Sequence, residues 1–536
     1  MKPVHRDDER AQVLLPRDRH KLPSGWQWSR VNEVGRVQLG RQRAPEHHQG
    51  EQMRPYLRVA NVFEDRIDTS DVMQMNFKDA EFERFRLRPG DVLLNEGQSK
   101  HLVGRPAIYN GEVPGACFQN TLVRFQSRVG ILPAWALAVF RTYLYDGTFL
   151  SIARWTTNIA HLGADRFAQL DFPVAPAPEQ RRISEALDSC LTRLKAASGG
   201  LKRVEANLKR YRASVLMAAV EGRLVPTEAE LARKEKRDYE PASALLSRIL
   251  KERRRRWEQA EVVKLKAKRD LSAGDKWKER YEEPAAIDST GLPDLPEGWC
   301  WASVDQLDSG DRKCSYGVLV PGPDVEDGVP LIRIGDIQDG RIEASGLKRI
   351  SKSIADAFGK TYLRGGEVLI SLVGTIGRTA VVPETLAGAN VARAIGVLPV
   401  TALVMPHWVE MWFRSPTVRA LTIGKAHEVA RKTLNLEDVR AAPVALPPVD
   451  EQRRIQAAVD AAESVATKVE TTLALQTTRM SRMRQGVLKW AFQGKLVDQD
   501  PMDEPASVLL DRIRRERSAA STGEQSPPRV PVRKTA

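Results

Sequence analysis

The 4 cysteines and 8 histidines are the first places to look for nucleophilic or metal chemistry in this chain of 536 residues. Cys117, Cys190, Cys300 and Cys314 form no CxxC pair, and no histidine cluster stands beside them at ligand spacing, so no metal site is expected. His47, His48, His161 and His427 lack a partner at fixed spacing and read as ordinary surface or structural residues. Methyl transfer to adenine would need an Asn/Asp-Pro-Pro-aromatic tetrapeptide, but the Pro-Pro pairs lie in Leu446-Pro-Pro-Val449 and Ser526-Pro-Pro-Arg529. No phosphate-binding loop is present either: Ile423-Gly-Lys-Ala426 has its Gly-Lys without the hydroxyl that should follow. No catalytic residue is assigned. What remains are short polar runs, among them Gln98-Ser99-Lys100-His101 ahead of Val103-Gly-Arg105, then Gln119-Asn120 and Thr156-Thr157-Asn158. Their paired donors and acceptors suit recognition rather than bond making.

The elements that would position these loops are written twice. Leu22-Pro-Ser-Gly-Trp26 returns as Leu295-Pro-Glu-Gly-Trp299, about 270 residues further on. In the same order, Tyr56-Leu-Arg-Val-Ala-Asn-Val62 is answered by Leu331-Ile-Arg-Ile-Gly-Asp-Ile337, and Leu87-Arg-Pro-Gly-Asp-Val-Leu93 by Leu363-Arg-Gly-Gly-Glu-Val-Leu369. Val103-Gly-Arg105 matches Ile376-Gly-Arg378, and Glu179-Gln-Arg-Arg-Ile183 matches Glu451-Gln-Arg-Arg-Ile455. The series closes with Glu240-Pro-Ala-Ser-Ala-Leu-Leu246 against Glu504-Pro-Ala-Ser-Val-Leu-Leu510. Residues from about 27 to 170 and from about 300 to 440 carry short apolar runs broken by Gly and Pro, the pattern of a mixed, β-rich domain. These stretches share only framework positions, whereas the segments after them agree closely.

Those segments read as helices with a heptad stripe. Leu187, Cys190, Leu194, Ala197, Leu201, Val204, Leu208, Tyr211 and Val215 alternate steps of four and three. Val459, Ala462, Ala466, Val469, Leu473, Gln476, Met480, Met483 and Val487 repeat that phase in the second copy. Prolines introduce each stem (Pro176 and Pro178; Pro447 and Pro448), and Gly222 and Gly494 stand as C-terminal stops. The pair Gly199-Gly200 is a place where the first helix could kink. Two stripes of equal length and phase favour packing against each other over packing each on its own head.

The balance of 83 Lys plus Arg against 69 Asp plus Glu, a formal charge of +14, suits a polyanionic partner. No stretch is apolar for long enough to span a bilayer, and residues 1–20 scatter charge through what a signal peptide would keep apolar. A reduced, cytoplasmic protein without membrane contact is expected.

The doubled order of LP-x-GW, variable domain, EQRRI, long helix, x-G-x-LV, EPAS-x-LL and charged linker resembles the specificity subunits of type I restriction-modification systems. It covers nearly the whole chain. The resemblance implies an α+β fold: two β-rich target-recognition domains joined by two long helices in an antiparallel coiled coil, with a pseudo-two-fold internal repeat. On that pattern the chain divides into an N-terminal extension (1–21), a first target-recognition domain (22–175), a first helical stem (176–225) and a charged helical linker (226–290). A second target-recognition domain (291–447), a second stem (448–517) and a disordered tail (518–536) follow. Each recognition domain would read one short half-site of double-stranded DNA, and the helices would set the unread spacer. Two methyltransferase subunits and two motor-nuclease subunits would assemble on this scaffold, bringing S-adenosylmethionine, ATP and Mg, with no cofactor bound by this chain.

Under that reading the DNA-binding candidates in the first half are Gln98, Ser99, Lys100, His101, Arg105, Asn120, Thr157 and Asn158. Their counterparts by alignment are Ser371, Thr375, Arg378, Asn390, Arg393, Arg431 and Lys432. The run Arg253–Arg256 could touch phosphate, although Glu252 and Glu258 beside it suit a solvated linker helix better. Two other readings stay open on the residues alone: a self-sufficient DNA modification or restriction enzyme, which the missing motifs disfavour, and a duplicated helical adaptor that binds protein only.

Overall fold

A computed structural model describes residues 22–156, 158–267, 276–424, 427–428 and 432–523. The chain divides into two compact units, one formed by residues 1–201 and 475–536 and the other by 202–474. Each therefore holds a head, a portion of both stem helices and shorter helical segments outside them.

In the first unit the head is built on an antiparallel four-stranded sheet ordered Gly35–Leu39, Leu122–Ser127, Val92–Asn95, Pro106–Ile108. Leu122, Val123 and Phe125 are fully buried on this sheet. The helix Pro133–Tyr145, started by a proline in its first turn, lays Trp135, Val139 and Phe140 into the same core. Phe140 stands edge-on to Phe125 at 5.0 Å and to Phe167 at 5.0 Å, which fixes the helix against the sheet. A smaller sheet orders Cys117–Phe118, Met53–Leu57 and Met73–Asn76, and the entry strand Gln27–Arg30 pairs with the exit strand Asp171–Val174. Head and stem thus leave from one place.

The second unit repeats this plan. Its four strands run Ser315–Tyr316, Ile395–Leu398, Val368–Ser371, Thr379–Val381, and its core helix is Pro406–Arg414, with Trp408 and Phe413 buried. The strand Cys300–Ser303 pairs with Pro443–Leu446 as entry with exit. The mixed helix and strand composition and the two sheet-bearing heads are those expected from the sequence.

The stems are the helices Ala177–Val220 and Val449–Phe492, each of 44 residues, or roughly 66 Å at about 1.5 Å per residue. Both stop where expected, at Gly222 and Gly494, which take left-handed φ values of 66° and 64°. Gly199 and Gly200 do not break the first helix. The packing is antiparallel: in the first unit Ile183 and Leu187 share a core with Leu488 and Ala491, and in the second Leu216 and Ala219 share one with Ile455 and Val459. Arg212 spans the second pair of segments, reaching Glu463 at 3.0 Å and Glu470 at 2.9 Å. The expected seam is closed unevenly: Ala466 is fully buried, whereas Val204 is 42%, Tyr211 44% and Met483 50% exposed. Ile183 and Leu187 in one stem, and Ile455 and Val459 in the other, lie in the core of a head as well as against a helix.

The EPAS segments begin the shorter helices Ala242–Ala267 and Ala506–Gly523. The first docks Leu245 and Ile249 on the second head, where the Ala242 N–H donates to the Gly298 carbonyl at 2.8 Å. The other docks Leu509, Leu510 and Ile513 on the first head, with Ala506 donating to Gly25 at the same distance of 2.8 Å. Helix continues to Gly523, so the expected tail boundary at 518 falls inside it, and residues 524–536 lie outside the described ones. The Arg253–Arg256 run is taken up by protein partners: Arg253 is buried against Tyr281, and Arg254, Arg255 and Arg256 pair with Glu258 and Glu252. No helix among the described residues is long and apolar enough to cross a membrane.

Candidate nucleic-acid interface

The root of each head is fixed by the motifs that recur in the sequence. In the first unit the Trp26 indole N–H donates to Glu179 at 2.9 Å, and the ring stands edge-on to Trp135 at 5.2 Å. Gln180, fully buried, accepts from the Leu132 N–H at 3.0 Å and donates to the Ala175 carbonyl at 2.9 Å. In the second unit Trp299 donates to Glu451 at 2.8 Å and stands edge-on to Trp408 at 5.4 Å. Gln452 accepts from Met405 at 3.0 Å and donates to Pro447 at 2.8 Å. Burial pushes both glutamates above the usual carboxylate range, partly offset by the indole N–H each accepts. These joints carry the heads and were not identified from the sequence, although both partners stand in the repeated motifs.

Away from the root the polar loops gather on a small sheet. In the first head the hairpin Arg154–Thr156 with Ile159–His161 pairs with Gly97–Gln98, so Gln98 lies beside Ala160 and Asn158 sits in the adjoining turn. Ser99, Lys100, His101 and Asn158 are exposed and Gln98 is half-buried. Thr157 lies outside the described residues. The hairpin is held by His161, whose Nδ1 is 3.0 Å from Glu96, and by the close fit of His161 over Gly97. Arg154, Trp155 and Thr156 are all exposed on this tip; Thr156 stands in the polar run read from the sequence, whereas Arg154 and Trp155 were missing from the candidates. The available signal was an aromatic inside an otherwise polar run.

The second head has the same construction. His427–Glu428 pairs with Lys432–Thr433, and Thr433 bridges to Val373 as His161 pairs with Gly97. Thr375 is exposed in the loop that follows. Arg431 lies outside the described residues, and Lys432 is placed by its strand alone.

Asn120 and Arg393 occupy equivalent positions: the Asn120 N–H donates to Arg41 at 2.9 Å and that of Arg393 to Val318 at 2.8 Å. Asn120 is half-buried and Arg393 exposed. Strand pairing aligns Asn390 with Cys117 rather than with Asn120, because each begins the strand added parallel to the smaller sheet.

Four candidates are directed inward. Asn390 is fully buried, its amide oxygen accepting from Thr361 at 2.6 Å and from the Val391 N–H at 2.8 Å. Ser371, also fully buried, donates to the Thr375 carbonyl at 2.5 Å and accepts from the Arg378 N–H at 2.8 Å. With their hydrogen-bonding capacity spent inside the fold, neither reaches a groove. Arg105 donates to the Val62 carbonyl at 2.6 Å and lies 4.8 Å over the Phe63 ring; Arg378 donates to Ile337 at 3.3 Å. Both guanidiniums secure a small hairpin, Val62–Phe63 with Arg66–Ile67 in one head and Ile337–Gln338 with Arg341–Ile342 in the other. Asn390 and Ser371 are thus corrected to interior positions, whereas Arg105 and Arg378 stay half-buried behind the exposed loops. No group of three or more His, Cys, Asp or Glu side chains among the described residues is arranged to hold a metal ion.

Compared with known proteins, the chain is 30% identical over 380 residues to the type I restriction enzyme EcoBI specificity subunit of Escherichia coli, covering 69% of each chain. It belongs to the family of type I restriction enzyme specificity subunits. The EcoKI specificity subunit of Escherichia coli strain K12 is 22% identical over 535 residues, which cover 94% of this chain and 98% of that one. Among solved structures, a chain from a study of assembly and conformational transition of the type I R-M system aligns with a TM-score of 0.54 at 17% identity. That alignment covers 89% of this specificity subunit and 100% of the solved chain, so the fold is shared over almost the whole length. No family model matches the chain.

Proposed function

We propose that this specificity subunit reads an asymmetric, interrupted sequence in double-stranded DNA and directs methylation and restriction by partner subunits. Residues 22–175 and 291–447 act as the two target-recognition domains, one half-site each. The observation that carries this is the contrast within the repeat: the Trp–Glu and Gln joints at the root of each head are the same, whereas the exposed residues on equivalent tips differ. Gln98, Ser99, Lys100, His101, Asn120 and Asn158 serve the first half-site, joined by Thr157; Thr375 and Arg393 serve the second, joined by Arg431 and Lys432. Gln and Asn can pair bidentately with adenine and Arg or Lys with guanine, so these sets favour different bases. The formal charge of +14 supports the phosphate contacts that such reading requires.

The stem helices act as the ruler for the unread spacer. Catalysis resides elsewhere, in two methyltransferase subunits using S-adenosylmethionine and two motor-nuclease subunits using ATP and Mg, all in the cytoplasm. Long-read mapping of methylated adenines in cells with and without the chain tests the reading. A bipartite methylated motif that disappears on deletion is expected; an unchanged methylome contradicts it.

A further inference from the structure

The tip of the first head carries an aromatic side chain whose exposure the packing of the fold does not explain. Trp155 is 52% exposed on an edge strand, and a ring of that size left in water is worth covering in a complex. Strand register defines its neighbours. Trp155 pairs with Ala160, and Ala160 pairs with Gln98, so the three residues form one row across the sheet. Directly paired residues share a face, so Trp155 and Gln98 flank the buried methyl of Ala160. At about 4.8 Å between strands the row places the aromatic and the amide roughly 10 Å apart, close to three base-pair steps. The opposite face is occupied differently: a Cβ on Gly97 would meet the His161 ring at 3.3 Å and Ile159 at 3.5 Å. Ala160 belongs to the buried core of the head, so this row lies on the core-facing side of the small sheet; Trp155, at its outer edge, extends past the core into solvent, and Ile159 and His161 on the opposite face are partly exposed. Gln98 is itself oriented, its amide oxygen accepting the Ser99 N–H at 3.0 Å.

We propose that Trp155 makes an apolar contact with the bases of the first half-site, beside the polar reading by Gln98. A flat apolar ring without charge adds discrimination through a thymine methyl or a base face, and adds nothing to the electrostatic attraction that all sequences share. Double-stranded DNA is the occupant because the row ends at the exposed polar loop of Ser99, Lys100 and His101, and Arg154 adds an exposed positive charge on the other face of the same edge strand. The contact belongs to one head alone: register puts Glu428 at the position of Trp155 and Gly374 at that of Gln98. This inference rests on the proposed function and names a specificity residue within it.

The test uses the full chain assembled with its methyltransferase subunits, the duplex carrying the mapped target, and the same duplex with the first half-site scrambled. Trp155→Ala should weaken binding to the target by roughly 10- to 100-fold. It should leave binding to the scrambled duplex and the slope of affinity against salt unchanged. Trp155→Phe should stay within a few-fold of the parent on both duplexes. In methylome maps Trp155→Ala should relax a position of the first half-site about three base pairs from the one that Gln98→Ala relaxes, and leave the second half-site intact. Parent-like discrimination by a well-folded Trp155→Ala overturns the proposal. So does an equal loss on both duplexes, or a loss of subunit assembly with DNA affinity kept, which would assign Trp155 to a protein contact. If the unaltered assembly fails to discriminate between the duplexes, the proposed function falls and takes this inference with it, an outcome distinct from failure of the variant alone.

Discussion

The two heads are most alike where they are buried and least alike where they meet solvent. At the root, an indole donates to a buried glutamate and a buried glutamine spans strand and helix, with distances that agree to about 0.1 Å between the copies. At the tip, strand register sets Gln98 and Trp155 in one head against Gly374 and Glu428 in the other. A buried joint has to satisfy every donor and acceptor it encloses, which leaves few alternative side chains. An exposed tip carries no such obligation, so its chemistry is free to follow the partner.

The joint should give the largest effects. Trp26→Ala removes a buried ring and the donor to Glu179, and Trp299→Ala does the same at Glu451. Each should cost about 3–5 kcal/mol, read from chemical denaturation of the full chain. Similar values for both variants support equivalence of the joints; a costly Trp26→Ala beside a harmless Trp299→Ala would break the comparison.

A buried difference provides the next test. The core helix of the second head carries Glu410, 2% exposed, where the first has Leu137. Burial pushes the Glu410 carboxyl up to about 7, with Arg414 3.0 Å away opposing the shift. Its ordinary value, which the unfolded chain restores, is 4.5. The folded state therefore holds its proton more tightly, and the second head should gain stability as the pH falls from about 8 towards about 5, by at most about 3 kcal/mol. Glu410→Gln should flatten that dependence in thermal melts while the first head keeps its own profile. A variant as pH-dependent as the parent would show that Glu410 does not titrate in this window.

The exposed tips should give the smallest changes in free energy and the cleanest separation of the halves. Arg393→Ala is expected to weaken binding by about tenfold, to lower the salt slope by about one, and to relax only the second half-site. Asn120→Ala, at the equivalent position, should relax only the first and leave the slope alone. Methylome mapping with salt titration of DNA binding checks both, and an effect of either variant on the opposite half-site would count against equivalence.

Much of this architecture was legible in the residues because its signals are local. Heptad spacing, prolines ahead of the helices and the stops at Gly222 and Gly494 each lie within a few residues of the feature they specify. What escaped depended on distant contacts. Arg105 has the charge and loop position of a DNA contact, yet its guanidinium meets the carbonyl of Val62, 43 residues earlier in the chain. Ser371 and Asn390 look like polar loop residues until strand pairing buries them. The exposure of Val204 and Tyr211 on the seam likewise depends on what packs over each stretch of stem, which heptad spacing alone does not specify. Trp155 was passed over for the opposite reason, since an aromatic in a strand reads first as core.

The central claim is that each head reads one half-site independently on a shared scaffold. It is tested most directly by replacing residues 27–170 with the corresponding head of a related specificity subunit and mapping methylated adenines in cells carrying the chimera. The expected result is a bipartite motif whose second half-site is unchanged and whose first matches that of the donor. A motif in which both halves change together, from a chimera that assembles and methylates, would contradict the account.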